Sequence, residues 1–190
     1  MKTLTSVSLA TTLTLGFMSH SLLATPPHVH GAGALQLVLE GGNLSIELRL
    51  PAMDVVGFEH APREAKHQEA VKKAVALLKD SRKAFELPAA AQCAVAPGKV
   101  ESALLETRQD HDHGHDKPDH DHHEHSDEEA HADFEVAYRF DCRRPESLKS
   151  IKVTLFQYLP RMEKLEVQSV TPTGQKSQQL VPGQDTIQLD

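Results

Sequence analysis

The chain has 190 residues, a formal charge of −7, thirteen histidines and two cysteines. Ten acids and a single lysine between Asp110 and Asp133 carry nearly all of that acidity, so the rest of the chain is close to neutral. No basic stripe is left to hold phosphates, which excludes a nucleic-acid surface, and the length suits one domain or two small ones.

Residues 1–24 read as a signal peptide. Lys2 supplies a basic start, Leu4 to Met18 is an uncharged apolar run, and Ala24 is a small residue at a cleavage point. Leu22 fits poorly at the −3 position, which leaves cleavage after Ser21 or an uncleaved anchor as alternatives. The run is short for a bilayer span, and nothing downstream approaches one. Residues 25–190 are expected as a single exported domain, in the periplasm.

Gly33 to Pro51 has the pattern of a β-hairpin. Leu35, Leu37 and Leu39 alternate with Ala34, Gln36 and Val38. Gly41-Gly42-Asn43 forms the turn, and Leu44, Ile46, Leu48 and Leu50 alternate on the return. From Pro62 to Lys83 the period changes: Val71, Ala74, Val75 and Leu78 fall on one helical face with Lys72, Lys73 and Lys79 outside it. Lys99 to Glu106 and Asp133 to Cys142 predict two strands of a hairpin connected through the acidic stretch between them.

One helical turn is expected at Pro145–Ser150, and strands at Ile151–Leu159 and Lys164–Val170. After the turn Thr171-Pro172-Thr173-Gly174, short strands are expected near Gln179–Val181 and Thr186–Leu189. The class is therefore α+β: mainly antiparallel strands and hairpins with one long helix. A disordered His/Asp/Glu-rich loop, residues 110–132, interrupts it between two strands. Strand order does not follow from the pattern.

Cys93 and Cys142 are expected to form a disulfide in an oxidising compartment, near the base of that hairpin, holding the loop's anchors in register. A reduced buried pair and a cysteine–metal site are the alternatives. The spacing is unlike the CxxC pairs of structural zinc sites.

The loop carries the clearest chemistry. His111, His113, His115, His120, His122, His123, His125 and His131 are eight histidines in 22 residues, interleaved with Asp and Glu. Imidazole is neutral and available near pH 7, and carboxylates add oxygen donors and cancel the charge of a divalent ion. A segment this polar cannot form a core. Histidines at i and i+2 point to the same side of an extended chain, so neighbouring pairs can chelate one ion. Tetrahedral zinc takes four donors, room for about two ions. Ordering such a loop costs chain entropy, so moderate affinity and poor selectivity are expected, with copper(II) above zinc on ligand chemistry alone. Only four methionines occur, none clustered, which disfavours a copper(I) site.

A second site is expected on the folded part. His28 and His30 open the exported chain, and Glu59 and His60 lie just before the helix; convergence of the two segments would assemble imidazoles and a carboxylate. The alternative is a frayed terminus at His28 and His30, with His60 a capping or core residue. His67 reads as an exposed surface residue.

His28-Val29-His30-Gly31, Gly57-Phe58-Glu59-His60-Ala61-Pro62, the His/Asp/Glu loop followed by Asp133-Phe134, Cys142, and Val170-Thr171-Pro172-Thr173-Gly174-Gln175 together resemble the ZrgA-type periplasmic zinc-binding proteins of Gram-negative bacteria, a family long catalogued as a domain of unknown function. The resemblance covers essentially the whole exported chain. It implies zinc-regulated expression and a role in zinc acquisition beside a zinc transport system. No HExxH, GxSxG, P-loop or paired CxxC motif occurs, and Gly31-Ala32-Gly33 lacks the third glycine of a dinucleotide fingerprint, so an enzyme is not expected. A zinc scavenger that delivers ions to a transporter component, a sink for zinc, nickel or copper, and a metal-dependent interaction protein are the competing readings.

Overall fold

The computed structural model describes residues 30–105 and 132–190. The expected signal peptide, His28 and the eight loop histidines lie outside the described residues. No described helix is long and apolar enough to cross a membrane.

The expected hairpin forms as β1 (Ala32–Glu40) and β2 (Asn43–Pro51), in antiparallel register from Ala34↔Arg49 to Glu40↔Asn43. Asn43 is thus the first paired residue of β2, and Gly41-Gly42 alone makes the turn. A side chain at Gly42 would lie 2.7 Å from the Cys142 carbonyl oxygen, and the Cys142 N–H donates to the Gly42 carbonyl at 2.7 Å. That close approach demands glycine. Leu35, Leu37, Leu44, Ile46, Leu48 and Leu50 are all buried on the inner face, each worth about 1.5–3 kcal/mol.

Beyond β2 come α1 (Ala52–Val55), α2 (Ala65–Lys79) and α3 (Ser81–Ala84). The expected helix is therefore shorter than 62–83 at both ends. Pro62 lies outside it, and Asp80 leaves helical geometry at ψ 92°, where its carboxylate accepts the Arg82 N–H and starts α3. Asp is a strong helix-starting residue, and here that preference interrupts the periodic run. Val71, Ala74 and Leu78 are the buried face of α2. Tyr138 donates its hydroxyl to the Leu78 carbonyl at 2.7 Å, pinning the helix end to the sheet. Burial raises the Tyr138 pKa well above that of a free phenol, with the Asp80 charge adding to it.

The chain continues through β3 (Phe85–Glu86), β4 (Cys93–Val95), β5 (Lys99–Glu101) and β6 (Asp133–Cys142). β7 (Ser150–Val153), β8 (Lys164–Thr171), β9 (Gly174–Leu180) and β10 (Thr186–Gln188) follow. Seven strands make one sheet in the order β4-β6-β2-β1-β8-β9, with β5 beside β6; β10-β7-β3 form a second. All pairings are antiparallel except β1 with β8. One apolar cluster joins both sheets, uniting Leu48, Tyr138 and Val167 with Phe85, Ile151 and Ile187. The Gln178 side-chain amide both donates to the Gln188 carbonyl and accepts its N–H, each at 2.9 Å, and so links β9 to β10 as a strand would.

Two strands are shorter than their sequence pattern. β5 ends at Glu101, and the Ser102 hydroxyl accepts the Leu104 N–H as Ala103–Leu105 turn into a 3-10 helix. β7 ends at Val153, because Thr154 donates its N–H to Ala84 and its hydroxyl to Lys83, and Leu155–Gln157 form another 3-10 turn. Pro145–Ser147 make the expected single turn. β9 is longer than expected: Gly174 already pairs with Thr171.

β5 and β6 are antiparallel neighbours whose connection is the acidic stretch. The cysteines are disulfide-bonded, with Cys93 directly opposite Cys142. The bond crosses to the far end of the ten-residue β6 from Asp133, where the loop returns. The disulfide lies at the base of the hairpin, as expected, and the β5–β6 pairing holds the strand ends nearer the loop.

Candidate metal centre

Topology gathers one set of element ends. β1 begins at Ala32 beside Lys164, the start of β8, and β2 ends at Pro51 beside Asp133, the start of β6. The Ala52 N–H donates to the Ala132 carbonyl at 2.8 Å, so the residue that closes the loop is bonded to the first residue of α1. β5 runs toward the same end, with Glu101 opposite Glu135. The mouth of the histidine-rich stretch and the first residues of β1 thus share one end of the large sheet.

Residue 31 is held from both sides there. The Gly31 N–H donates to both carboxylate oxygens of Asp54 at 2.9 Å. Its carbonyl accepts the N–H groups of Glu163 and Lys164, each at 2.9 Å. Gly31 has φ +80°, which favours glycine, and a Cβ would crowd the Glu163 side chain at 3.1 Å from its carboxyl carbon.

His30 is delivered next to this clamp, and its Nε2 lies 3.2 Å from Glu59 Oε1. The segments that carry His30 and Glu59 come together at this pair. His30 is about half exposed, 52 %, and Glu59 only 15 %, so the pair stabilises the fold by no more than about 1 kcal/mol while staying open to solvent on the imidazole side. Asp54, at 2 % exposure, is one of few buried charged residues. Burial raises its carboxyl above the ordinary range; the Gly31 N–H and His30 oppose this, and the charges of Glu163 and Glu59 reinforce it. Three carboxylates and one imidazole therefore share this corner.

His60 turns the other way. Its Nδ1 is 3.1 Å from the Ala61 carbonyl, and its ring stacks on Phe58 at 5.0 Å. His60 is an exposed residue that caps no helix. His67, expected as an exposed surface residue, is instead half-buried: its ring packs 4.4 Å from Phe58 and 4.9 Å from His60. Its Nδ1 is buried without a hydrogen-bond partner. His67 belongs to the packing of α2.

Among the described residues, no group of three or more His, Cys, Asp or Glu side chains is arranged to hold a metal ion. The donors brought together are one imidazole nitrogen and one carboxylate oxygen, both suited to zinc and both short of a tetrahedral set. His60 does not join them, and His28 and the loop histidines, the remaining expected ligands, lie outside the described residues. Asp54 and Glu163 were missing from the sequence reading. A lone Asp after an apolar strand gives no periodic signal, and Glu163 is brought to Gly31 only by the parallel β1–β8 pairing.

The family described as "ZrgA family zinc uptake protein" matches residues 27–189. No curated protein matches the chain.

Proposed function

Because the chain belongs to the ZrgA family of zinc uptake proteins, we propose that it captures Zn(II) in the periplasm after export and supports zinc uptake beside a component of a transport system, without catalysing a reaction. The histidines 111, 113, 115, 120, 122, 123, 125 and 131 collect ions with labile ligand sets. The corner at His30 and Glu59 offers a fixed site, for which His28, two residues upstream, is the candidate to add a further donor. In this reading residues 25–190 are one zinc-binding domain, and the collecting loop and the fixed corner act as partners in one capture device.

The observation that supports it best is the shared end of the sheet. Pro51 pairs with Asp133, Ala52 bonds to Ala132, and Gly31 bonds to Asp54. An ion held by the loop is therefore tethered near the corner, which raises its effective concentration there.

Calorimetric titration of zinc against a competing chelator tests the reading, in the exported protein and in a variant lacking Asp110 to His131. One tight site surviving in the shortened protein, and lost from it in His30→Ala, is the expected result. Loss of all binding with the loop would leave the folded part a platform only. A metal sink is the second reading, favoured by the loop's unselective donors; induction by zinc excess rather than by starvation would establish it.

A further inference from the structure

We propose that Asp54 is the positioning residue of the corner: its buried carboxylate locks the Gly31 peptide and so presents His30 to Glu59 and to an arriving zinc ion. The inference rests on the reading of that corner as a zinc site and adds the device that builds it.

Residues near the start of a folded chain are ordinarily tied down weakly. Here the peptide that joins the N-terminal segment to β1 is fixed at three points. Both Asp54 oxygens take the Gly31 N–H, and two N–H groups from the start of β8 take its carbonyl. With φ at +80° and both polar groups held, the Cα of His30 is set in place, and fewer torsions remain to be ordered than at a free chain end. A ligand whose backbone is already ordered loses less entropy when it binds an ion.

The arrangement is poor as a device for stability alone. Burying a carboxylate is costly; the Gly31 N–H and the His30 charge offset part of that cost, while Glu163 and Glu59 add repulsion. Local departures of this kind are concentrated at functional sites. A divalent cation at His30 and Glu59 would relieve that repulsion. The hydrogen bonds that tie Asp54 to this segment run to the Gly31 N–H, and the charge of His30 acts on its carboxylate besides.

The test uses the whole exported chain, with zinc titrated against a competing chelator and the Gly31 amide followed by NMR, in wild type, His30→Ala, Asp54→Ala and Asp54→Asn. His30→Ala should lose the corner site. Asp54→Ala should bind zinc at that site about tenfold more weakly, the size of loss typical for a residue that orients a ligand. Its other zinc equivalents should be unchanged, and the Gly31 amide should lose its protection from exchange. Asp54→Asn keeps one oxygen to accept that N–H and should recover most of the affinity.

Wild-type affinity in Asp54→Ala overturns the inference while leaving the corner reading intact. Equal weakening in Asp54→Asn and Asp54→Ala also overturns it, since charge rather than position would then be at work. No effect of His30→Ala removes both. Where Asp54→Ala fails to fold, Gly31→Ala decides instead: it disturbs the same peptide with the carboxylate present, and unchanged zinc affinity there overturns the inference.

Discussion

At one end of the seven-stranded sheet Cys93 and Cys142 join β4 to β6 across directly opposed positions, and the Gly41-Gly42 turn packs its backbone against Cys142. At the other end Gly31 is held by Asp54, Glu163 and Lys164, His30 meets Glu59, and the histidine-rich stretch leaves and returns. The first end is closed by a covalent bond, the second by hydrogen bonds around charged groups. On the proposed reading, holding the fold together and presenting metal donors fall to opposite ends, and the disulfide stands apart from His30. A thiolate near the corner would compete for zinc; a disulfide at the far end does not.

Removing the disulfide should have the largest effect. Cys93→Ser with Cys142→Ser is expected to lower stability by about 2–5 kcal/mol in urea denaturation, with zinc affinity of the folded protein unchanged. A parallel loss of zinc affinity would break the separation of the two ends.

Acid should act on the opposite end. A metal ion must displace the proton from each imidazole it binds, and for a free imidazole that competition sets in below about pH 6.5. Two such ligands imply about a hundredfold loss of zinc affinity between pH 7.5 and 5.5, read by chelator competition. Unchanged affinity at pH 5 would refute imidazole ligation.

Asp54 predicts a smaller slope. Its folded pKa is raised, so between the unfolded and folded values the native state holds more protons than the unfolded chain. Stability from this group therefore falls as pH rises through that window and is greater below it. Asp54→Asn should abolish the slope, which for one carboxyl is at most about 1.4 kcal/mol per pH unit. Urea midpoints at several pH values, without metal, would show it; an identical profile in the variant would show that Asp54 titrates normally. Smallest of all, Arg49→Ala removes a half-exposed guanidinium 3.2 Å from Glu135 and 3.9 Å from Asp133 and should change the thermal midpoint by the equivalent of about 0–1 kcal/mol.

What the sequence makes legible follows a physical divide. The β1–β2 hairpin and β6 are readable because one face is buried and the other wet, which writes a period of two into the residues. The α2 face at Val71, Ala74 and Leu78 is readable for the equivalent helical reason. The ends of elements are less so: Asp80, Ser102 and Thr154 each interrupt a run through one short hydrogen bond. The His30–Glu59 pairing was visible as two donor-bearing segments flanking the hairpin and helix. Asp54 and Glu163 were not, because each depends on contacts between residues far apart in the chain, and the place of His67 was not, because it depends on how the Phe58–His60 loop folds back on α2. Strand order was illegible for the same reason, and the parallel β1–β8 pair is its clearest instance.

That pair also sets a timetable. β1 lies inside the sheet, flanked by β2 and β8, yet its second neighbour is Lys164–Thr171, more than a hundred residues downstream. Contacts so distant in sequence form late. Until they do, Gly31 lacks both N–H donors from Glu163 and Lys164, and His30 stands on a loose end. A chain caught partway through folding would own its full complement of histidines but no finished corner, so a firmly held ion would report that folding had run to completion.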